Sequence, residues 1–252
     1  MRIRDLAQLS SSPMPKVLMA GLAVCLGLLV YGLLLLHHDQ EAFLVWIRED
    51  GLVEWLTFVE LLIMSAFSFI ISHAFSRSEP ESAAKRVWLF LGLLLLFGAM
   101  EEISWGQRVL GIESPQWFLR HNKQGETNLH NLIIYGVSVN KLIFGKILSI
   151  LIGIYLLAVP LLYRINGSFR NFINGWGIPV AQNYQILICV LVIILVQIHL
   201  GLAGKVAELR ELCIAYLFLL ILMHPYNREV FPLKEIAPWK RIVTPGVRKA
   251  RE

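Results

Sequence analysis

Two adjacent carboxylates near the middle of the chain are the residues best suited to chemistry. Glu101 and Glu102 open the run EEISWGQR, which ends at Arg108. Paired carboxylates can divide labour, because repulsion between like charges favours one ionised and one protonated member. The ionised member can act as a general base on water, and the guanidinium can hold a carboxylate or phosphate in a two-pronged contact. The sequence therefore predicts an acid/base pair with Arg108 as an anion clamp.

The geometry of this run depends on whether a helix continues through it. In a continuous helix Glu101, Trp105 and Arg108 share one face through i, i+4 and i+7 spacing, and Glu102 points about 100° away. Such a face would present an acid, an indole and a guanidinium to one substrate. The alternative is a helix end with a salt bridge and an interfacial tryptophan. Both interpretations are compatible with the sequence.

A second polar segment, residues 121–131, contains almost no apolar side chain. One interpretation is a solvated loop in which Thr127 or Asn128 caps the following helix. The other is a ligand-binding loop that folds back to the level of Glu101. The second interpretation predicts His130 as a catalytic residue beside the glutamate pair and Arg108.

Imidazole and carboxylate groups in this segment raise the question of a metal. His121, Glu126, His130 and His199 together offer ligands that zinc ordinarily takes. Their spacing matches neither HExxH nor any common zinc signature. A divalent metal such as zinc is therefore a weaker interpretation than a metal-free site, and the sequence assigns no cofactor.

Depth in the membrane brings residues of several helices to one level. Glu101 and Glu102 lie about 21–27 Å along the third predicted span, in the outer part of a hydrocarbon layer roughly 30 Å thick. Glu60 and His199 reach a similar depth on two other spans. A charge at the centre of a membrane helix costs about 2.5–3.5 kcal/mol and usually faces a protein interior or water. We therefore expect these four residues to share a pocket.

Other polar side chains near this level are expected to contact a bound substrate. Together with Glu60 and His199, the expected substrate-binding residues are Trp105, Gln107, His121, Glu126, Asn128 and Asn131. Glu208 and Glu211 open the sixth predicted span from the same side. For these two, a solvated interfacial position is favoured, with Glu208 paired to Lys205.

The elements that must hold these residues are membrane-spanning helices. Of 252 residues, 56% are hydrophobic and 16% are charged, whereas about a quarter are charged in a soluble domain. Several apolar runs approach the roughly 20 residues that cross a bilayer as a helix. The predicted fold is an all-α polytopic bundle of about six transmembrane helices. The spans are 17–36, 53–75, 85–106, 142–163, 185–203 and 206–224, and the apolar stretch from 132 lies along the interface or re-enters.

Basic residues orient the predicted bundle. Six spans place nearly all the flanking lysines and arginines on one side, which the positive-inside rule makes cytoplasmic. The positions concerned are Arg2, Arg4, Lys16, Arg77, Lys85, Arg86, Arg164, Arg170, Lys234, Lys240, Arg241, Arg248, Lys249 and Arg251. The acidic connector with Asp39, Glu49 and Asp50 falls on the other side. We expect a multi-pass protein of the bacterial plasma (inner) membrane with both termini cytoplasmic.

Three regions follow from this topology. They are a cytoplasmic segment at 1–16, a transmembrane domain at 17–224 with a polar loop at 107–131 on the outer face, and a basic cytoplasmic tail at 225–252. The first apolar run is too long for a signal peptide and lacks a cleavage site.

The net charge of +5 lies mainly at the flanks, and no nucleic-acid motif is present, so nucleic acid is not an expected partner. Cys25, Cys189 and Cys213 lie in apolar runs and are interpreted as small hydrophobic residues.

The runs EEISWGQR (101–108) and QGETNLHN (124–131) resemble a widespread family of bacterial polytopic membrane proteins. The run EDGLVEW (49–55) extends the resemblance from the second helix to the start of the fourth. That family has no established activity. The resemblance therefore implies a membrane location and the same choice of site.

A second resemblance is to the CAAX-type intramembrane glutamic proteases, the CPBP or ABI group. Their first motif is a glutamate pair and an arginine separated by three residues; here the pair stands at 101–102, Gly106 stands at the arginine position, and Arg108 comes two residues late. The stretch 117–121 fits their aromatic-x-x-x-His motif, and His130 or His199 supplies the last histidine. This resemblance implies that one glutamate activates water and that the histidines steady the oxyanion.

Two functional classes fit these observations. The first is a membrane-embedded hydrolase or transferase that acts on a lipid, lipid-linked or peptide substrate at the outer face through a Glu/His/Arg site. The second is a non-enzymatic protein, such as a transporter, sensor or assembly factor, whose polar cluster is a structural or solute-binding network. Few polar groups are predicted in the inner halves of the helices, which favours a one-sided site. Membrane lipids are the expected partners in either case.

Overall fold

The computed structural model describes residues 14–48 and 51–232 of the chain. Expectations that concern Arg2, Arg4, Glu49, Asp50 and the basic tail from Lys234 lie outside the described residues. Within them the fold is all-α, with one short hairpin as its only strands.

The helices follow one another with short connections. They are α1 (Lys16–His38), α2 (Gln40–Trp46), α3 (Leu52–Ser78), α4 (Ala83–Glu102), α5 (Gln107–Leu110), α6 (Gln116–His121), α7 (Leu148–Ile165), α8 (Gly167–Gly175), α9 (Asn183–His199) and α10 (Val206–Met223). An antiparallel hairpin joins β1 (Ile133–Ile134) to β2 (Val137–Ser138), and a π-helical stretch (Asn140–Ile147) leads into α7. Single turns of 3-10 helix lie at Ser104–Gly106 and Arg228–Val230.

Four helices of the described chain are long and apolar enough to cross a membrane. They span Lys16–His38, Leu52–Ser78, Ala83–Glu102 and Gly145–Ile165. The helix α9 is apolar but shorter, and α10 carries three charged residues in its first six positions. The all-α fold with several candidate membrane-spanning helices is therefore confirmed and is consistent with a helical membrane protein. The six-span topology and its orientation stay predictions.

The helix α10 is the centre of the bundle. It packs against α1, α3 and α9, and most of its apolar side chains are buried, with Leu209, Leu217 and Leu220 at most 1% exposed. The helix α7 is the opposite case, since Ile150, Ile154 and several neighbouring apolar residues are more than half exposed. Apolar exposure along a helix of spanning length suits contact with lipid.

The helices α3 and α4 form the most extensive helix pair. Ser65 Oγ donates to the Gly92 carbonyl oxygen at 2.8 Å, and Ser72 Oγ donates to the Lys85 carbonyl oxygen at 2.7 Å. A Cβ at Gly92 would lie 2.7 Å from the Phe69 ring, so the ring would have to shift to accommodate any other residue there. Small residues and interhelical hydroxyl bonds are the usual means of close packing in membranes.

The helix α4 ends at Glu102, four residues before the predicted end at 106. Ser104, Trp105 and Gly106 adopt left-handed backbone angles, with φ of 47°, 57° and 73°. A helix cannot continue through such residues, because its backbone needs negative φ. Of the two interpretations of this run, the continuous helical face of Glu101, Trp105 and Arg108 is therefore wrong, and the helix end with a salt bridge agrees with the structure. The break instead turns the chain back toward the end of α4.

The apolar stretch that begins at 132 adopts two short structures before α7. Its first part is the hairpin of β1 and β2, whose tip residue Tyr135 has φ of 50° and is fully exposed. The π-helical stretch follows directly. The chain therefore reaches the fourth long helix without a further span between α4 and α7.

Candidate functional site

Glu101 is the anchor of the polar residues at the end of α4. Its side chain is almost fully buried, and its Oε1 accepts a hydrogen bond from Trp105 Nε1 at 2.8 Å. Its Oε2 accepts from the backbone N–H groups of Leu129 at 2.7 Å and His130 at 3.0 Å. Charge-assisted bonds of this kind are roughly twice as strong as neutral ones. One carboxylate thus fastens the loop of residues 122–131 to the helix end.

The imidazole of His130 lies against the same carboxylate. Its Nδ1 is 3.4 Å from Glu101 Oε2, and its Nε2 is 3.0 Å from Asn131 Nδ2. The Asn131 amide nitrogen also donates to Gln124 Oε1 at 2.5 Å, which assigns it as the donor toward Nε2. Nε2 then accepts and Nδ1 carries the hydrogen, directed at Glu101. This is the tautomer in which a carboxylate orients a histidine for base work.

Glu126 forms a second ionic centre in the same loop. Its Oε1 accepts from Arg108 Nη2 in an ion pair, and its Oε2 accepts from the Ser104 hydroxyl. Asn128 Nδ2 reaches the same Oε2 at 3.1 Å. The left-handed turn at Ser104 places its hydroxyl beside Glu126. Arg108, expected as a clamp for a substrate anion, is engaged by a carboxylate of its own chain.

Asn128 lies at the centre of these contacts and is 1% exposed. Its Nδ2 donates to Ser104 Oγ at 2.8 Å, and its Oδ1 accepts from Asn122 Nδ2 at 2.8 Å and from the Asn131 backbone N–H at 3.2 Å. A buried amide with all these partners fixes the loop conformation, because leaving any of them unpaired costs about 1–3 kcal/mol.

Gln107 joins the segment after α4 to the same loop. Its Oε1 accepts from the Thr127 backbone N–H at 2.7 Å, and its Nε2 donates to Ser114 Oγ at 2.6 Å. Thr127 Oγ1 donates to that hydroxyl at 3.2 Å. We call the whole set the loop network. Its members are Glu101, Ser104, Trp105, Gln107, Arg108, Ser114, Asn122, Glu126, Thr127, Asn128, His130 and Asn131.

Glu102 faces a different group of residues. Its electrostatic neighbours are Glu211 and Glu208 at the start of α10, Glu54 at the start of α3, and Glu101. Glu211 also interacts electrostatically with His130. We call Glu54, Glu102, Glu208 and Glu211 the carboxylate group. It adjoins the loop network at the face where α4 ends, and Lys205 Nζ lies 3.6 Å from Glu208 Oε1.

Three expected site residues make their contacts elsewhere. Glu60 is buried in α3, where Cys25 and Tyr216 are its electrostatic neighbours. His199 lies beside His37, with ring centroids 5.1 Å apart, and its Nδ1 is 2.6 Å from the Leu195 carbonyl oxygen.

His121 stacks on Trp117 at the end of α6, with ring centroids 4.6 Å apart. The structure therefore joins Glu101, Arg108, Glu126 and His130 through the loop network. Glu60, His121 and His199 each belong to another cluster.

Three buried polar residues of the network were absent from the sequence-based expectations. Ser104, Ser114 and Asn122 are each at most 9% exposed and bond other network members. Neither spacing nor residue type distinguishes them from ordinary loop serines and asparagines. Their only signal is the density of small polar residues in 104–131.

The ligand count bears on the zinc interpretation. Over residues 14–48 and 51–232, no three histidine, cysteine, aspartate or glutamate side chains are grouped so that they could hold a metal ion. The His121, Glu126, His130 and His199 set is accordingly split between three places. Comparisons of the chain with protein-family models, curated proteins and solved structures give no match.

Proposed function

We propose that this protein is a membrane-embedded hydrolase or transferase that acts on a lipid, lipid-linked or peptide substrate at the membrane face where α4 ends. The observation that carries the proposal is the Glu101–His130 pair. A buried carboxylate, fixed by two backbone N–H groups and an indole, faces the Nδ1 of a histidine. Such a carboxylate holds an imidazole in the orientation that lets Nε2 take a proton.

His130 is the general base in this proposal. About a quarter of its side chain is exposed, so water can reach the ring. Its Nε2 accepts from the Asn131 amide, and water would take that place when substrate binds. Catalytic hydrogen bonds are often long or misaligned without substrate, which fits the 3.4 Å distance from Nδ1 to Glu101.

The carboxylate group supplies the acid. Glu102 and Glu211 interact with each other, and Glu211 also interacts with His130. Carboxyl groups held near one another divide into ionised and protonated members. A protonated member of this group can donate to a leaving group while the imidazole takes a proton from the attacking water or hydroxyl.

The surroundings suit an amphipathic substrate. Trp105, Leu110 and Trp117 are 45%, 69% and 49% exposed and flank the polar segment. Aromatic and aliphatic side chains at this level bind acyl chains, and the network offers polar groups to a head group. Arg108 holds the loop through Glu126, and it can clamp an anion once Glu126 releases it.

A non-enzymatic role is the second candidate, and one observation favours it. Both oxygens of Glu101 and both oxygens of Glu126 already accept hydrogen bonds from the protein. A network satisfied in this way stabilises a loop without any substrate. The carboxylate group would then bind a cationic solute or exchange protons as part of a transporter, sensor or assembly factor.

Comparing His130→Ala with the control variant His121→Ala distinguishes the enzymatic role from the non-enzymatic one. Wild type, His130→Ala and His121→Ala are reconstituted in vesicles of phosphatidylethanolamine, phosphatidylglycerol and cardiolipin, with and without a mixed hydrophobic peptide library. Mass spectrometry of lipids and peptides should show a product that His130→Ala loses and His121→Ala keeps. The enzymatic proposal fails if wild type yields no product in either arm, or if His130→Ala yields the same product.

A further inference from the structure

Two cysteines outside the loop network lie in contact in the interior of the bundle. Cys25 on α1 and Cys213 on α10 have their Sγ atoms 3.2 Å apart, although 188 positions separate them in the chain. Both are free thiols, and they are 3% and 1% exposed. A disulfide requires the two sulfurs at about 2.05 Å, roughly 1 Å closer than they lie here. The pair is therefore poised for a bond between the first and last helices of the bundle.

The approach of the two helices holds the thiols in place. Tyr216 Oη donates to the Leu18 carbonyl oxygen at 2.8 Å, and a Cβ at Gly21 would lie 2.1 Å from that same Oη. On the other side of Cys25, a Cβ at Gly32 would lie 2.7 Å from Leu209 Cδ1. The helices α1 and α10 thus touch closely on both sides of the thiols. The sulfur contact follows from backbone packing and not from a mobile side chain.

We propose that Cys25 and Cys213 are a reversible dithiol–disulfide couple, oxidised by a small uncharged hydroperoxide. The oxidant must be small because neither thiol is exposed. Oxidation joins α1 to α10 covalently, and a dithiol reductant restores the two thiols. This site is independent of the proposed hydrolase or transferase activity.

The reaction balances with hydrogen peroxide as the oxidant. The Cys25 sulfur attacks one peroxide oxygen, and the O–O bond breaks. The leaving hydroxide takes the proton of the Cys25 thiol to form water, which leaves a sulfenic acid on Cys25. The Cys213 sulfur then attacks the Cys25 sulfur, the S–O bond breaks, and the leaving hydroxide takes the Cys213 proton. Two thiols lose two electrons and one peroxide becomes two waters.

Cys189 provides an internal control. It is a third buried free thiol, on α9, and shares the apolar setting without a sulfur partner. The full-length protein in lipid nanodiscs is treated with hydrogen peroxide, quenched with catalase, denatured and alkylated with N-ethylmaleimide. Intact mass should show three alkylations before oxidation, one after it, and three again after dithiothreitol. Peptide mapping should assign the disulfide to Cys25 and Cys213, and Cys189→Ser should leave its formation rate unchanged.

The couple is refuted if wild type keeps three alkylations after peroxide, stops at an over-oxidised sulfur, or forms its disulfide through Cys189. Because this measurement uses only wild type, it does not depend on the folding of any variant.

Discussion

Leu129 donates its backbone N–H to Glu101 Oε2 at 2.7 Å, across 28 positions of the chain. The contact means that a helix end and a distant loop share one carboxylate, which the His130 backbone N–H and the Trp105 indole also bond. Removing the negative charge therefore acts on three donors at once. Glu101 therefore stabilises the loop as well as being a catalytic candidate, and its variants must be assessed by stability as well as by activity.

Glu101→Gln should lower the free energy of unfolding by about 2–4 kcal/mol, because an amide keeps one acceptor oxygen but turns an NH₂ group toward existing donors. Thermal unfolding in detergent measures the loss. Limited proteolysis should cut within 122–131 faster in the variant than in wild type. An unchanged unfolding temperature together with an unchanged cleavage rate would contradict the role of Glu101 as the anchor.

The ion pair of Arg108 and Glu126 gives a second prediction. Its carboxylate is only 10% exposed, so removing the arginine leaves a nearly buried charge with fewer donors. Arg108→Ala should therefore cost about 2–3 kcal/mol of stability, and Arg108→Ala with Glu126→Gln should cost less than the sum of the single changes. A double-mutant cycle on unfolding free energies measures this coupling. Strict additivity would show that the pair is not a unit.

The membrane helices could be predicted from the sequence because length and apolar composition alone decide them. A run such as Lys16–His38 needs about 20 apolar residues to satisfy its backbone inside lipid, whatever it packs against. Predicting the spans at α9 and α10 was harder. The helix α9 has only 17 residues. The helix α10 begins with Glu208, Arg210 and Glu211, and whether these charged side chains can lie at membrane depth depends on the elements packed around them.

The loop network could not be predicted in detail because its geometry depends on two features without a residue signature. Ser104 and Trp105 take positive φ, which non-glycine residues seldom adopt, so the sequence could not decide between a continuing helix and a helix end. The donors at Leu129 and His130 are backbone N–H groups, which every non-proline residue offers. The sequence identified Glu101 and His130 as candidates. Their partners follow only from the turn that brings them together.

Gly92 supplies a prediction about the α3–α4 contact. Gly92→Ala places a Cβ 2.7 Å from the Phe69 ring, so it should destabilise the protein by about 1–3 kcal/mol through overpacking. Gly153→Ala on α7 is the matched control, because nothing lies within 4 Å of its added Cβ. The control should match wild type or exceed it slightly, since alanine favours a helix over glycine. Equal melting temperatures for the two variants would show that α3 and α4 do not touch at Gly92.

Glu102 differs from its neighbour Glu101 because its electrostatic neighbours are carboxylates. Keeping Glu102 protonated among other carboxylates, or ionised against them, costs free energy that an amide does not, so Glu102→Gln should raise the free energy of unfolding by about 1 kcal/mol at low salt. The gain should shrink in about 1 M salt, where the screening length falls to about 3 Å. Under the proposed function the same variant should lose roughly 100-fold in turnover, because a proton donor is gone. Gain of stability with loss of turnover is the signature of a functional carboxylate, whereas a loss of both would place Glu102 in the structural network with Glu101.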